Sequence, residues 1–143
     1  MREHGYHVSM LFGIPSFYHR FGYVSALIDY TILMETTEAR TFDNPFKSSI
    51  ATPGEIPLLQ KMHNANDANS ICSLIRTAAH LHNKWGRWNK WRMLKDEQGK
   101  AVAYLYAVVE RGCLYVTEVG VSEAGVCAAV VQEAARIAKS EEV

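Results

Sequence analysis

The sequence predicts an α/β (α+β) fold in which a mixed, mostly antiparallel sheet is flanked by helices. Three observations predict it. The segment 91–121 contains three apolar stretches separated by two tight turns, "KDEQGK" and "ERG", which is typical of three antiparallel strands. The segment "TPGE" (Thr52 to Glu55) carries the residues that begin a capped helix. The alanine-rich stretch 126–142 is amphipathic with helical spacing.

The first 36 residues indicate a strand, a short helix and a second extended segment. Tyr6–Gly13 is apolar and ends at a Gly-Ile-Pro break, which predicts a buried strand. The stretch "SFYHRF" (Ser16–Phe21) then predicts a short helix with Gly22 as its C-cap. Tyr23–Thr36 is long enough for one bent strand or for two short strands.

The next elements follow from the capped helix start. Residues 47–51 are expected to form a strand that leads into it. Thr52 is the expected N-cap, Pro53 occupies the first helical position, and Glu55 completes a capping box. The apolar spacing then predicts one buried helix face made by Ile56, Leu59 and Met62/His63. A second helix is expected over 71–85, before the three strands and the final helix.

Charge and composition exclude several classes of partner. The 143 residues contain 15 Lys and Arg against 15 Asp and Glu, so the formal net charge is zero. A neutral chain lacks the broad basic surface that nucleic acid or an anionic membrane requires, and we therefore expect neither as a partner. The length suits a single domain with its own core.

The cysteines indicate a reducing compartment. Cys72, Cys113 and Cys127 are odd in number, widely spaced and outside any CxxC motif. This pattern argues against a disulfide framework and predicts a cytoplasmic protein with reduced thiols, which we expect to be buried as small apolar residues.

Two further clusters each have a functional and a structural interpretation. The stretch "KWGRWNKWR" (Lys84 to Arg92) could stack on single-stranded nucleic acid, but an aromatic hinge that packs a helix on the sheet agrees better with the neutral charge. His63, His80 and His82 lack the spacing of metal ligands, so we expect no metal site and surface histidines instead.

A family resemblance rests on the N-terminal motif. The stretch "FYHRFGY" (Phe17–Tyr23) resembles the helix-four motif of the GCN5-related N-acetyltransferase (GNAT) superfamily. The longer string "REHGYHVSMLFGIPSFYHRFGYVSA" (residues 2–26) is similar to tandem acetyltransferases of the enhanced-intracellular-survival type. The resemblance implies a fragment with its elements in permuted order. Residues 1–40 would end a first acetyltransferase-like unit, and 41–143 would begin a second, degenerate one, either separately or packed as one domain.

The resemblance also implies site residues and a co-substrate. Acetyl-coenzyme A would donate an acetyl group to an amine on a small molecule or a lysine. Tyr18 would be the general acid that protonates the departing coenzyme A thiolate, with Gly13 and Ser16 contacting the cofactor. Phe17 and Phe21 are expected to lie in the core.

The cofactor loop of the family is not matched. The superfamily binds the coenzyme A pyrophosphate with a Q/R-x-x-G-x-G/A loop at a helix N-terminus. The corresponding stretch here, "SEAGVCAAV", keeps only Gly125 and carries the carboxylate of Glu123. We therefore expect no cofactor bound to this chain. The alternative to an enzyme fragment is a non-catalytic structural or oligomerisation module. In either case unpaired strand edges favour a homo-oligomer, or a fold in which the half-unit 1–40 completes the half-unit 41–143.

Overall fold

The computed structural model describes residues 2–5, 7–11, 14, 16–25, 31–68, 77–79 and 90–140. The chain divides into two compact units, Met1–Thr31 and Ile32–Val143. The assignment of 1–40 and 41–143 to two acetyltransferase-like units stays a prediction.

The second unit confirms the predicted fold class, since it is an antiparallel sheet flanked by helices. Its strands are β1 (Lys47–Ile50), β2 (Trp91–Lys95), β3 (Ala101–Glu110) and β4 (Cys113–Val121). They lie in the order β1-β2-β3-β4, and every neighbouring pair is antiparallel. Its α-helices include α1 (Thr36–Ala39), α2 (Ile56–Asp67) and α3 (Cys127–Ser140).

Both predicted turns of the meander are present, and each uses a left-handed residue. Gly99 has φ 79° in the turn between β2 and β3. Arg111 and Gly112 have φ 52° and 75° in the two-residue turn between β3 and β4. Two successive positive φ values are those of a type I′ turn, whose twist matches that of the flanking strands.

The sheet has a core on each face because side chains alternate along β3. Ala103, Leu105 and Ala107 pack in a cluster with residues of α3. Tyr104 lies on the opposite face, in a cluster with residues of α2 and β2. The α2 cluster has these buried members: Ala51, Leu59, Met62, Trp91, Met93 and Tyr104. A sheet covered on both faces explains why β3 is apolar along most of its length.

The start of α2 confirms the predicted helix signal. A 3₁₀ turn, Pro53–Glu55, leads into the helix. The backbone N–H of Thr52 donates to Oε2 of Glu55 at 2.8 Å, and Thr52 Oγ1 donates to the same oxygen at 3.1 Å. Lys95 of β2 adds an ion pair to Glu55 at 2.6 Å. Burial alone would raise the pKa of Glu55, but the hydrogen bonds from Lys95 and Thr52 outweigh it and hold that pKa below its ordinary value.

We expect Thr52→Ala to lower the free energy of unfolding by about 1 kcal/mol, because the substitution removes the capping hydroxyl. Chemical denaturation of the two proteins measures the difference. Thr37→Ala is the matched control, since Thr37 is an exposed threonine within α1. Equal denaturation midpoints for Thr52→Ala and the original chain would contradict a capping role.

The extended segments predicted in the N-terminal part are not observed as strands. Residues 7–11 are irregular, and Val8 is 82% exposed. Residues 23–25 and 31–35 also lack strand pairing, and Leu33 is 90% exposed. The predictions of a buried strand at Tyr6–Gly13 and of one or two strands at Tyr23–Thr36 were wrong for the described residues. A strand needs a neighbour to pair its backbone groups, and these residues have none among those described.

The predicted second helix at 71–85 lies outside the described residues, apart from 77–79. No helix in the part of the chain that the structure describes is both long and apolar enough to cross a membrane.

Candidate functional site

The predicted general acid, Tyr18, begins a 3₁₀ turn in the first unit. The turn covers Tyr18–Phe21 and ends at Gly22, whose φ of 85° makes it the left-handed cap that the sequence predicts. The N–H of Gly22 donates to the carbonyl of His19 at 3.0 Å. The turn therefore fixes the backbone of Tyr18 through local bonds.

The side chain of Tyr18 is half-buried among aromatic rings. Its ring lies edge-on to Phe17, with centroids 5.0 Å apart, and 6.2 Å from Tyr23. The guanidinium of Arg20 stacks 4.0 Å from the centroid of Phe17 and 4.9 Å from that of Phe21. Ring contacts thus hold the phenol of Tyr18, and cation–π attraction holds the two phenylalanine rings beside Arg20. No hydrogen bond to the Tyr18 hydroxyl occurs among the described residues.

The expectation that Phe17 and Phe21 lie in the core is wrong. Phe17 is 41% exposed and Phe21 is 62% exposed. Both rings instead contact the side chain of Arg20, which covers part of their apolar surface. The aromatic rings of this motif therefore pack against one another and against Arg20.

The two predicted cofactor-contacting residues fare differently. Ser16 is exposed and has a φ of 63°, a left-handed conformation that is uncommon for a residue with a side chain. Ser16 lies two positions before Tyr18, where the 3₁₀ turn begins. Gly13 lies outside the described residues. The roles assigned to both stay predictions.

The stretch that would correspond to a cofactor loop joins β4 to α3. Glu123 is extended and exposed, and a 3₁₀ turn, Ala124–Val126, leads directly into α3. Val126 is buried, and its N–H donates to the carbonyl of Glu123 at 3.2 Å. The Glu123 side chain makes no cap hydrogen bond, but its negative charge lies close in sequence to the helix N-terminus and disfavours a pyrophosphate there by repulsion.

A buried polar cluster lies between α2 and β4 in the second unit. His63 is only 9% exposed. Its Nδ1 is 3.6 Å from Oε1 of Glu118, and its Nε2 is 3.4 Å from Oδ2 of Asp67. Tyr104 donates its phenolic hydrogen to Oε1 of Glu118 at 3.1 Å. One imidazole, two carboxylates and one phenol thus form a connected set.

The cluster depends on the close approach of Gly120 to Tyr104. The two residues are paired across β3 and β4. A Cβ atom added to Gly120 would lie 2.8 Å from both Cδ1 and Cζ of the Tyr104 ring, and closer still to Cε1. Tyr104 is fully buried and contacts Trp91 with ring centroids 5.4 Å apart, so the ring has little room to move. Glycine at 120 is what allows the Tyr104 hydroxyl to reach Glu118.

We expect Gly120→Ala to destabilise the protein by about 1–3 kcal/mol, the usual cost of overpacking a filled core. Thermal or chemical denaturation measures this loss. Gly125→Ala is the control, because a Cβ at Gly125 meets nothing within 4 Å. Equal stability of the two alanine variants would show that Tyr104 moves freely and would contradict the packing argument.

The contacts of the cluster orient its members. A phenol that donates to a carboxylate holds that oxygen in place. Asn66, on the same helix, fixes the end of β4 by donating to the carbonyl of Val121 and accepting from its N–H, both at 2.7 Å. The edge strand that carries Glu118 is thereby fastened to α2.

Sequence reasoning missed this cluster, although part of the signal was present. His63 and Asp67 are spaced i,i+4 and therefore share one face of α2. Placing His63 on the apolar face was correct, and expecting it at the surface was wrong. Glu118 comes from a strand 55 residues further along the chain, and no local pattern links it to His63. Among the described residues, no three His, Cys, Asp or Glu side chains could hold a metal ion.

Two other expectations concern exposed and buried groups. Cys113 and Cys127 are free thiols, as expected, but both are exposed, so the expectation of buried thiols was wrong for them.

Trp91, the last tryptophan of "KWGRWNKWR", is 1% exposed and belongs to the α2-side core. A ring buried in that way cannot stack on a nucleic acid base, and residues 84–89 lie outside the described part of the chain.

Comparison of the chain with protein-family models gives no match, and no curated protein matches its sequence significantly.

Proposed function

We propose that this chain is part of an N-acetyltransferase that transfers acetyl from acetyl-coenzyme A to an amine, and that the chain by itself lacks the cofactor-binding loop. The observation that carries the proposal is the arrangement of the second unit. The resemblance implies a strand, two helices, a three-stranded meander and a final helix. The strand, the first helix, the antiparallel meander and the final helix occur in that order, with α2 and α3 on opposite faces, and the second helix lies outside the described residues.

In this proposal Tyr18 supplies the proton that the reaction needs at the leaving group. The amine nitrogen attacks the thioester carbonyl and forms the new carbon–nitrogen bond, the carbon–sulfur bond breaks, and the thiolate takes the phenolic proton. The nitrogen loses one proton to water, and water returns one to the phenolate of Tyr18, which restores the acid. The proposal is supported by a Tyr18 hydroxyl that makes no hydrogen bond among the described residues and by a ring held through its neighbours. A free donor on a fixed ring is suited to general acid catalysis.

The acceptor is an amine on a small molecule or a lysine, and the chain acts in the cytoplasm as a homo-oligomer. The two exposed free thiols agree with a reducing compartment. Both outer strands of the sheet, β1 and β4, have edges that a second copy or the other half-unit could extend. Neither nucleic acid nor a membrane is part of the proposal.

The chain alone should not bind acetyl-coenzyme A with a micromolar dissociation constant, because the loop 122–126 keeps only Gly125 of the family's motif and carries Glu123. Isothermal titration calorimetry of this chain measures the affinity. A longer protein that includes the residues upstream of Met1 is the comparison, and it should bind the cofactor. Micromolar binding by the short chain would overturn the missing-loop argument, whereas no binding by the longer protein would overturn the enzyme proposal.

The alternative is a non-catalytic structural or oligomerisation module. The loop between β4 and α3 favours it, since Glu123 is exposed where the family would place a pyrophosphate. Acetyl transfer by the longer protein distinguishes the two functions. A longer protein that forms oligomers but neither binds acetyl-coenzyme A nor acetylates amines would favour the module.

A further inference from the structure

A cavity lies on the α3 face of the sheet, at the end that carries the turn between β3 and β4. Its volume is about 190 Å³. Apolar residues from three strands and from α3 line it together with two cations, Lys90 and Arg92. The apolar residues are Ile50, Ala107, Val109, Leu114 and Ile137.

This cavity is separate from the polar cluster and from the loop before α3. Ala107 and Leu114 belong to the core on the α3 face, whereas Tyr104 belongs to the core on the α2 face. Leu114 pairs with Val109 next to the β3–β4 turn, while the loop 122–126 follows the opposite end of β4. A ligand in the cavity would therefore contact neither Glu118 nor Glu123.

Arg92 has an unsatisfied donor. Its Nε is buried and has no hydrogen-bond partner among the described residues. No ion pair to Arg92 or Lys90 occurs among the described residues, whereas Lys95 pairs with Glu55 and Arg136 with Glu133. A buried guanidinium N–H without an acceptor is unfavourable, so a ligand that supplied an acceptor would bind favourably at Arg92.

We propose that this cavity binds a small carboxylic acid with a short aliphatic chain, its carboxylate on Arg92 and Lys90 and its chain against the apolar wall. Guanidinium groups bind carboxylates through paired hydrogen bonds, and four aliphatic residues favour a ligand tail without polar groups. The volume equals that of roughly six water molecules at ~30 Å³ each. That space suits a chain of a few carbons and is too small for a long fatty acyl chain.

Hexanoate is a suitable probe, and hexylamine and 1-hexanol are its charge controls. Heteronuclear NMR titration of the intact chain should show saturable shifts at Ile50, Arg92, Val109, Leu114 and Ile137 with hexanoate. Hexanoate has about eight non-hydrogen atoms, and a moderate binding free energy for each of them predicts a Kd on the order of 1 mM. Hexylamine should not bind, and hexanol should bind more weakly than hexanoate. Equal binding of the three compounds, or shifts centred on other residues, would overturn the proposal.

Arg92→Gln should weaken hexanoate binding about 10-fold, as expected for the loss of one charge-assisted hydrogen-bonded pair. Arg111→Gln is the matched control, since Arg111 is exposed in the turn and does not line the cavity. Arg92→Lys keeps the charge but loses the paired geometry, and it should bind with intermediate affinity even if the glutamine variant folds poorly. Unchanged affinity in Arg92→Lys, together with unchanged affinity in any folded Arg92→Gln, would contradict the role of Arg92.

Discussion

Arg136→Ala should lower the free energy of unfolding by about 3 kcal/mol, the range observed when one partner of a buried ion pair is removed. The carboxylate of Glu133 is completely buried on α3. Arg136 donates to it twice, from Nε at 2.7 Å and from Nη2 at 2.6 Å. Without Arg136 the charge of Glu133 stays in the core with little compensation.

The pair also connects α3 to the edge of the sheet. Ser48 of β1 donates its hydroxyl to Oε1 of Glu133 at 2.5 Å. The hydrogen bond to Glu133 raises the pKa of Arg136 above its ordinary value, so its guanidinium stays charged throughout the usual pH range. Since Arg136 is about half exposed, we place the expected cost at the lower end of the range for buried pairs.

A double-variant cycle separates the ion pair from other losses. Adding Glu133→Gln to Arg136→Ala removes the buried charge and should restore part of the lost stability. Lys139→Ala is the control for an alanine substitution of a cation on the same helix, and it should change stability by less than about 0.5 kcal/mol. If Arg136→Ala matches Lys139→Ala by chemical denaturation, the buried carboxylate does not depend on its partner.

The second unit could be predicted from the sequence because its signals are local. Thr52, Pro53 and Glu55 carry the helix start within four residues, and the two turns of the meander carry glycine where the backbone needs a positive φ. These signals do not require knowledge of a partner. The final helix is predicted for the same reason, since its apolar positions repeat at helical spacing.

The N-terminal part illustrates where this reasoning fails. The apolar stretch around Val8 and Met10 has strand-like composition, but composition does not supply a neighbouring strand. The polar cluster could not be predicted from the sequence for a related reason. His63 and Glu118 are brought together by the packing of α2 against β4, and the Tyr104 ring beside Glu118 fits only because Gly120 has no side chain.

Under the proposed function, Tyr18→Phe in a longer protein that transfers acetyl should lower the transfer rate by roughly 10²-fold or more, the effect expected when a general acid is removed. The substitution keeps the ring and its contacts with Phe17 and Tyr23. Because the Tyr18 hydroxyl makes no hydrogen bond among the described residues, the stability should change by less than ~1 kcal/mol. A large loss of rate with a small change in melting temperature is the expected result.

Tyr23→Phe is the control for the loss of a phenol in the same unit. Its hydroxyl lies 3.0 Å from Oγ of Ser9, so it has a structural partner that Tyr18 lacks. We therefore expect Tyr23→Phe to leave the transfer rate near its original value. Tyr18→Ala removes the ring as well and should lower both rate and stability. Unchanged turnover in Tyr18→Phe would make Tyr18 a packing residue, and its predicted role in catalysis would be wrong.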